Sequence, residues 1–204
     1  MCRQLKVGIL AYQGGIDEHR YMVVEACKEL SISCEVVNVA KRFDVSSIDA
    51  LIIPGGESTT ILRLMKRFGV DEVIKEKIGH DLPVMGTCAG AILLAKRVRD
   101  LKTGRVLKGT LEALDVLVVR NFYGRQRESF EIDLDIPALG EKPFRAIFIR
   151  APAIVEVGQG VEVMARYGES YVLVRQGKVL ASTFHPELSG DKRLHKYFIE
   201  FVKR

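Results

Sequence analysis

The sequence predicts an α/β protein: a single-domain, three-layer sandwich with a central, mostly parallel sheet and antiparallel strands in its C-terminal half. Two patterns support this prediction. In the first half, short apolar segments alternate with amphipathic helical segments, which is typical of a parallel sheet covered on both faces. From about Leu111 onward, strand-like segments follow one another with short connections, which indicates antiparallel pairing.

The elements of the first half follow from this alternation. We expect strands at residues 7–11, 34–39 and 50–53, and a helix at about residues 17–30. Val23, Ala26, Cys27 and Leu30 recur at helical spacing, so this face should pack into the core and Cys27 should be a packed thiol. Cys34 belongs to the second of these strands. A further helix includes Ile61 and Met65.

The second half is predicted to contain strands and one terminal helix. The strands are expected at residues 114–119, 129–134, 145–149, 162–167, 171–175 and 179–183, and the helix at about 191–202. Arg175-Gln176-Gly177-Lys178 resembles a tight hairpin connection in which Gly177 takes a positive φ. No repeat or linker divides the chain, so residues 1–204 are expected to form one domain.

Composition excludes several classes of protein. The 204 residues include 48% hydrophobic residues, enough for a substantial core, yet no window approaches the roughly 18 apolar residues of a membrane span. The first residues lack the apolar segment of a signal peptide, so we expect a cytoplasmic protein. The four cysteines show no metal-ligand spacing, and neither a metal nor disulfides are expected. The net charge of +5 is scattered, which argues against nucleic-acid binding.

The segment most informative about function is Gly86-Thr87-Cys88-Ala89-Gly90. It follows an apolar strand and precedes an apolar helix, which predicts a tight turn that presents the Cys88 thiol at the top of a sheet. The positive end of the following helix favours thiolate over thiol. By itself, the segment is also compatible with a glycine-rich turn around a buried structural cysteine.

His185-Pro186-Glu187 follows the last predicted strand and supplies the groups that a nucleophilic cysteine needs. An imidazole can accept the thiol proton and return it to a leaving group. A carboxylate two residues later can orient the ring, and Pro186 restricts His185 to extended conformations. The sequence therefore predicts a Cys88-His185-Glu187 triad assembled by the fold.

A second glycine-rich turn, Pro54-Gly55-Gly56-Glu57-Ser58-Thr59-Thr60, also lies between a strand and a helix. Its backbone N–H groups could bind an anion or stabilise an oxyanion. An ordinary helix N-cap explains the same pattern equally well. A phosphate-binding P-loop does not, because the required spacing to a Gly-Lys-Ser/Thr group is missing.

In this order, the segments Pro54-Gly55-Gly56, Gly86-Thr87-Cys88-Ala89-Gly90 and Phe184-His185-Pro186-Glu187 resemble class I, triad-type glutamine amidotransferases, which have a flavodoxin-like fold. Further segments are similar to the glutaminase subunits of pyridoxal 5′-phosphate synthases. They are Gly55-Gly56-Glu57-Ser58-Thr59-Thr60, Arg120-Asn121, Phe122-Tyr123-Gly124-Arg125-Gln126, Ser129-Phe130-Glu131 and Ile149-Arg150-Ala151-Pro152.

The resemblance implies a role for each matching residue. Cys88 would attack the glutamine carboxamide, His185 would transfer protons, and Glu187 would orient His185. The backbone N–H groups of Gly56 and Ala89 would form the oxyanion hole. The residues implied in glutamine binding are Gly56, Glu57, Ser58, Arg120, Ile149 and Arg150. An arginine suits the substrate α-carboxylate because a guanidinium can form two parallel hydrogen bonds with it, although a surface ion pair is the alternative for Arg120 and Arg150.

The resemblance also implies a partner. Glutaminases of this kind pass ammonia to a separate synthase (lyase) subunit in a large hetero-oligomer, and they bind no cofactor themselves. The docking face is expected at Gln13 and Gly14, with His19 close behind, and the isolated chain is expected to be a poor glutaminase. This chain has Ala11-Tyr12 and Phe122-Tyr123 where many relatives have Gly-Leu and Ser-Phe.

Other classes remain as alternatives. Cysteine peptidases and glyoxalase-like proteins use a similar turn, but they usually have histidine directly after the cysteine, where this chain has Ala89. In α/β-hydrolases the acid precedes the histidine. His19, His80 and His195 lack a nearby nucleophile in sequence and are interpreted as surface or packing residues. A regulatory protein without turnover, or an amidotransferase that supplies another synthase, would keep the same scaffold.

Overall fold

The computed structural model describes residues 4–101, 103–108, 110–120, 122 and 129–202. Its helices are α1 (Ile16–Glu29), α2 (Arg42–Ser46), α3 (Ser58–Phe68), α4 (Val70–Gly79), α5 (Ala89–Leu94) and α6 (Arg193–Val202). Its strands in the first half are β1 (Leu5–Leu10), β2 (Cys34–Val39), β3 (Ala50–Ile53), β4 (Val84–Thr87) and β5 (Ala95–Asp100). The remaining strands are β6 (Val106–Lys108), β7 (Leu114–Arg120), β8 (Phe130–Leu134), β9 (Phe144–Phe148), β10 (Ala153–Val157), β11 (Glu162–Tyr167), β12 (Ser170–Gln176) and β13 (Val179–Ser182).

Within the described residues, eleven strands form one sheet in the order β2-β1-β3-β4-β13-β12-β10-β7-β5-β6, with β11 pairing on β12. The run from β2 to β13 is parallel, as is the β5–β7 pair. β12 is antiparallel to β13, β10 and β11. Strands β8 and β9 form a separate antiparallel pair.

Two hydrophobic cores cover the two faces of the large sheet. One core includes residues of α2, α3, α4 and α5, and the other includes residues of α1, α6 and the β8–β9 pair. Strand β3 shows the alternation that this requires: Leu51 and Ile53 pack into the first core, while Ala50 and Ile52 pack into the second. The three layers and the α/β class predicted from the sequence are therefore confirmed.

Most predicted elements lie within a residue or two of those observed, and Gly177 has the expected positive φ of 56°. Five elements were missed: α2, α4, β5, β6 and β10. The sequence pattern predicted that Ala95 is helical, but Ala95 begins β5. In this strand Ala95 and Val98 are buried, the charged side chains are exposed or half-buried, and Arg97 pairs with Glu156 of β10 at 3.0 Å. Strand β10 itself was also missed, and the five-residue α2 is too short to show a helical period.

The fold brings the candidate catalytic segments to one edge of the sheet. Strands β4 and β13 are parallel neighbours, and Thr87 pairs in register with Ser182. Cys88 therefore follows β4 at the same level at which the chain leaves β13 toward His185. This is the carboxyl end of the parallel strands, where ligands bind in open α/β sheets. No helix among the described ranges has the length and apolar character needed to span a membrane.

Candidate active site

Cys88 occupies the predicted turn between β4 and α5 in an unusual backbone conformation. Its φ is 49° and its ψ is −102°, a combination that L-residues rarely adopt. The Cys88 N–H donates a hydrogen bond of 2.9 Å to the Ser182 carbonyl of β13, which ties the turn to the neighbouring strand. The residue is 7% exposed, so the thiol is held near the surface but largely out of water.

The small residues on both sides of Cys88 allow the helix to begin close to the sheet. A Cβ atom on Gly90 would lie 2.1 Å from the Ile53 carbonyl oxygen of β3. Such an approach to rigid backbone excludes any side chain at this position. The glycine pattern that predicted the turn is thus explained by close packing of α5 against β3.

His185 and Glu187 form the second part of the site. The His185 N–H donates to the Ile147 carbonyl of β9 at 2.8 Å, which fixes the backbone after β13. His185 Nδ1 lies 2.7 Å from Glu187 Oε1, and the Glu187 side chain is 1% exposed. Pro186 and Glu187 lie in a 3₁₀ turn, so the carboxylate folds back onto the ring as the spacing predicted.

Charge controls the protonation of His185. Burial of the ring would by itself lower its pKa, but hydrogen bonds and charge interactions with Cys88 and Glu187 outweigh burial and raise the pKa to about 10. The raised pKa favours a positively charged imidazolium at neutral pH. A charged imidazolium beside the Cys88 side chain is the arrangement that stabilises a nucleophilic thiolate.

Cys88 and His185 open into a cavity of about 230 Å³. The cavity is smaller than the roughly 300–1,000 Å³ of sites for drug-sized ligands, and so it fits a ligand of amino-acid size. Its lining combines glycine backbone, charged side chains and a few apolar groups. The lining residues are Gly14, Gly55, Gly56, Glu57, Ser58, Cys88, Ala89, Ile92, Arg120, Ile149, Arg150, Pro152 and His185.

Two residues of opposite charge, Arg120 and Glu57, line the cavity and contact each other. A guanidinium nitrogen of Arg120, at the end of β7, lies 3.3 Å from Glu57 Oε1. The backbone N–H of Glu57 donates at 2.8 Å to the side-chain oxygen of Gln13, which connects this wall to the loop before α1. Arg150, which also lines the cavity, has a positive φ of 44°. The cavity can therefore offer both a cation and an anion to one ligand.

The structure brings together in one cavity every residue predicted for glutamine binding and for the oxyanion hole, together with Cys88 and His185. Of the predicted docking residues, Gln13 and Gly14 are exposed beside the cavity. His19 is fully buried, and its expected place on the docking face is corrected: a side chain without exposed surface cannot contact a partner. Asn121 and the segment 123–126 lie outside the described residues.

A pair of buried histidines next to Glu187 was not predicted from the sequence. His19 and His195 are both 0% exposed, and His19 Nδ1 lies 3.0 Å from His195 Nε2. The buried stripe of α1 runs His19, Met22, Val23, Ala26 and Cys27. The helical spacing from Val23 back to His19 was the signal that placed His19 on the core-facing side.

The close approach of Gly55 to His185 gives a first prediction. A Cβ atom at Gly55 would lie 2.4 Å from His185 Cε1, and the ring is held in place by Glu187. Gly55→Ala should therefore displace the His185 ring and lower kcat for a reaction in which His185 takes part by about 100-fold, the cost typical of a misplacement of about 1 Å.

Gly79→Ala is the matched control for this substitution, because a Cβ there meets nothing within 4 Å and Gly79 lies at the end of α4. Steady-state kinetics of the two variants measure the difference. A Gly55→Ala protein with the kcat of the Gly79→Ala protein would contradict the assigned position of His185.

Comparison with known proteins adds family information to this geometry. Residues 9–204 match the SNO glutamine amidotransferase family. The curated "Pyridoxal 5'-phosphate synthase subunit PdxT" of Thermotoga neapolitana is 52% identical over 199 residues, which cover 98% of this chain and 100% of that protein. The PdxT protein of Pelotomaculum thermopropionicum is 52% identical over 196 residues, which cover 96% of this chain and 94% of that protein.

Solved structures agree with the sequence comparison. A crystal structure described as a glutamine amidotransferase superposes with a TM-score of 0.82 at 46% identity, covering 97% of this chain and 99% of that one. A glutamine amidotransferase from Thermotoga maritima has a TM-score of 0.59 at 12% identity, covering 98% of this chain and 84% of its own, and shares the fold.

Proposed function

Because the chain belongs to the SNO glutamine amidotransferase family, we propose that it hydrolyses L-glutamine to L-glutamate and ammonia with a Cys88-His185-Glu187 triad. The observation that carries this proposal is the shared cavity: Cys88 and His185 line it together, and His185 is hydrogen-bonded to the buried Glu187 at 2.7 Å. A nucleophile, a base and an orienting carboxylate are the three parts that such a hydrolysis requires.

The reaction proceeds in two halves. The Cys88 sulfur adds to the side-chain carboxamide carbon of glutamine, and the resulting tetrahedral intermediate loses its C–N bond as His185 donates a proton to the departing nitrogen. Ammonia leaves, and a γ-glutamyl thioester remains on Cys88. His185 then takes a proton from water, which attacks the thioester carbon. The C–S bond breaks, glutamate is released, and the proton returns to the Cys88–His185 pair.

The cavity wall accounts for recognition of the amino-acid end of the substrate. In the cavity lining, Arg120 and Glu57 contact each other at 3.3 Å. A bound glutamine would place its α-carboxylate on Arg120 and its α-ammonium on Glu57, so that each charge keeps an opposite partner. Ser58, Ile149 and Arg150 line the same space.

Backbone groups supply the oxyanion hole. Gly56 and Ala89 line the cavity with Cys88, and Ala89 is the first residue of α5, where N–H groups have no partner within the helix. Donors placed at the developing oxyanion contribute about 10²–10³ in rate each. We assign this role to the N–H groups of Gly56 and Ala89.

We further infer that the ammonia passes to a separate synthase subunit that makes pyridoxal 5′-phosphate, because the full-length relatives at about 50% identity are named as subunits of that synthase. The exposed Gln13 and Gly14 adjoin the cavity and are suited to the contact between subunits in a hetero-oligomer. We place the reaction in the cytoplasm, because its reducing environment keeps a free thiol such as that of Cys88 from forming disulfides.

Glutamate release from glutamine tests both parts of the proposal. The purified chain should release glutamate slowly alone and much faster after addition of a pyridoxal 5′-phosphate synthase subunit, since docking would complete the site beside Gln13. No release under either condition would contradict the glutaminase assignment. Release at the same rate with and without the synthase subunit would contradict the assigned partner.

A further inference from the structure

Behind the triad, away from the cavity, lies the buried pair His19 and His195. Their ring nitrogens are 3.0 Å apart although the residues are 176 positions apart in the chain. The other ring nitrogen of His19, Nε2, lies 3.2 Å from Thr87 Oγ1 and 3.3 Å from Glu187 Oε2. His19 thus touches both the residue before the nucleophile and the carboxylate that orients the base.

Glu187 needs a second donor. Its Oε1 accepts the hydrogen bond from His185, while Oε2 is buried and has no aligned donor within the described part of the chain. A buried carboxylate oxygen without a donor is costly, and it leaves the carboxylate free to rotate away from its partner. The nitrogen that faces this oxygen at 3.3 Å is His19 Nε2.

The positions of the histidine protons follow from this arrangement. If the proton of His19 were on Nδ1, the lone pair of Nε2 would face the negative Glu187 oxygen, which is repulsive. The proton therefore belongs on Nε2, and Nδ1 accepts a hydrogen bond from the Nε2–H of His195. Of the four ring nitrogens of the two histidines, only His195 Nδ1 then has no partner among the described residues. It is left as an acceptor, which is less costly than an unmet donor.

We propose that His19 is a positioning residue of the triad, in which its Nε2–H holds Thr87 and the second oxygen of Glu187, while His195 fixes the proton of His19 on that nitrogen. This inference rests on the catalytic role proposed above for Glu187 and His185. His19 does not line the cavity and touches no substrate.

A neutral donor suits this role. Burial, followed by the neighbouring His195 and His185, holds the pKa of His19 well below its usual range, so the ring stays uncharged. A cation at this position would compete with His185 for the charge of Glu187. Neutral His19 orients the carboxylate and leaves its charge to stabilise the His185 imidazolium.

The sharpest test compares two amide variants at one position. The amide nitrogen of His19→Gln can reach the place of Nε2, whereas that of His19→Asn, one methylene shorter, reaches the place of Nδ1 beside His195. We expect His19→Gln to keep most of kcat for glutamine hydrolysis. His19→Asn should lose about 10- to 100-fold in kcat with KM nearly unchanged.

A control variant separates positioning from stability. Val23→Ala, one turn further along α1, removes a fully buried side chain that does not contact the triad, and it should keep the wild-type kcat despite lower stability. If His19→Asn retains the wild-type kcat, or if His19→Gln is impaired as strongly as His19→Asn, the inference is wrong. A wild-type protein that releases no glutamate even with the synthase subunit would instead contradict the proposed function.

A second readout needs no turnover. The rate of Cys88 alkylation by iodoacetamide, followed by mass spectrometry of the Cys88 peptide, reports the thiolate that the His185 imidazolium stabilises. In His19→Asn a loosened Glu187 would stabilise the His185 imidazolium less, so the pH profile of Cys88 alkylation should lie below that of the wild-type protein, by about 10-fold in rate at neutral pH. His19→Gln should follow the wild-type profile. Profiles that coincide in all three proteins would overturn the inference.

Discussion

Cys88→Ala is expected to reduce kcat for glutamine hydrolysis by about 10⁶-fold, which in practice means below detection. The expected loss is this large because the proposed triad would act as a unit: without the sulfur no thioester could form, and His185 and Glu187 would have nothing to activate. The remaining oxyanion donors at Gly56 and Ala89 would accelerate direct attack by water only weakly. The residual rate is measured as glutamate release in the presence of the synthase subunit, at several concentrations of the Cys88→Ala protein.

Cys34→Ala is the matched control, because this thiol lies half-buried on β2 and does not line the cavity. It should hydrolyse glutamine at the wild-type rate. Trapping adds an independent check: wild-type protein mixed with glutamine and quenched in acid should carry a γ-glutamyl group on Cys88. Hydrolysis that survives Cys88→Ala would exclude the thioester mechanism altogether.

Acid is expected to destabilise the protein steeply, because two histidines are buried in neutral form. Burial lowers the pKa of His195 to about 3, and burial with the charges of His195 and His185 lowers that of His19 well below 6.5. Unfolding lets both rings bind protons below about pH 6.5. Each histidine then removes up to about 1.4 kcal/mol of stability per pH unit as the pH falls, a large share of a typical total of about 5–15 kcal/mol.

His185 has the opposite dependence. Its folded pKa of about 10 exceeds the unfolded value of 6.5, so its contribution to stability is complete below pH 6.5 and is lost as the pH rises toward 10. Below pH 6.5, His185 therefore does not change the slope of stability against pH. Stability should be greatest near pH 6.5 and fall on both sides.

Urea unfolding at pH 7, 6, 5 and 4.5 measures the acid slope. His195→Gln should lower the number of protons taken up on unfolding at pH 5 by about one. The variant lacks the His195 ring, whereas all other titratable groups are the same in both proteins. Equal slopes in wild-type and His195→Gln would show that His195 is not held neutral in the folded state.

The parts of the site that the sequence predicted are those that depend on local chain geometry. The strand, the Gly86–Gly90 turn and the helix are neighbours in sequence, and so the conformation of Cys88 follows from a few adjacent residues. His185 and Glu187 are two positions apart on either side of a proline, which is enough to predict their 2.7 Å contact. The family resemblance then predicted that these separate segments form one site.

What the sequence did not predict depends on contacts between distant segments. His19 and His195 are ordinary helical residues until α1 and α6 pack together on one face of the sheet, where both rings lose contact with water. Strand β5 was missed for a similar reason. Its lysine and arginines do not suggest a strand, and pairing with β7 and the Arg97–Glu156 ion pair determine its conformation.

The position of β13 has a consequence for protein synthesis. Of the strands in the described part of the chain it is synthesised last, yet it lies in the interior of the sheet between β4 and β12. Until residues 179–182 are added, β4 and β12 have open edges, and the Cys88 turn lacks its bond to Ser182. A chain that stops before residue 179 would therefore contain Cys88 without the bond to Ser182 and without His185, and by the mechanism proposed above it should not consume glutamine.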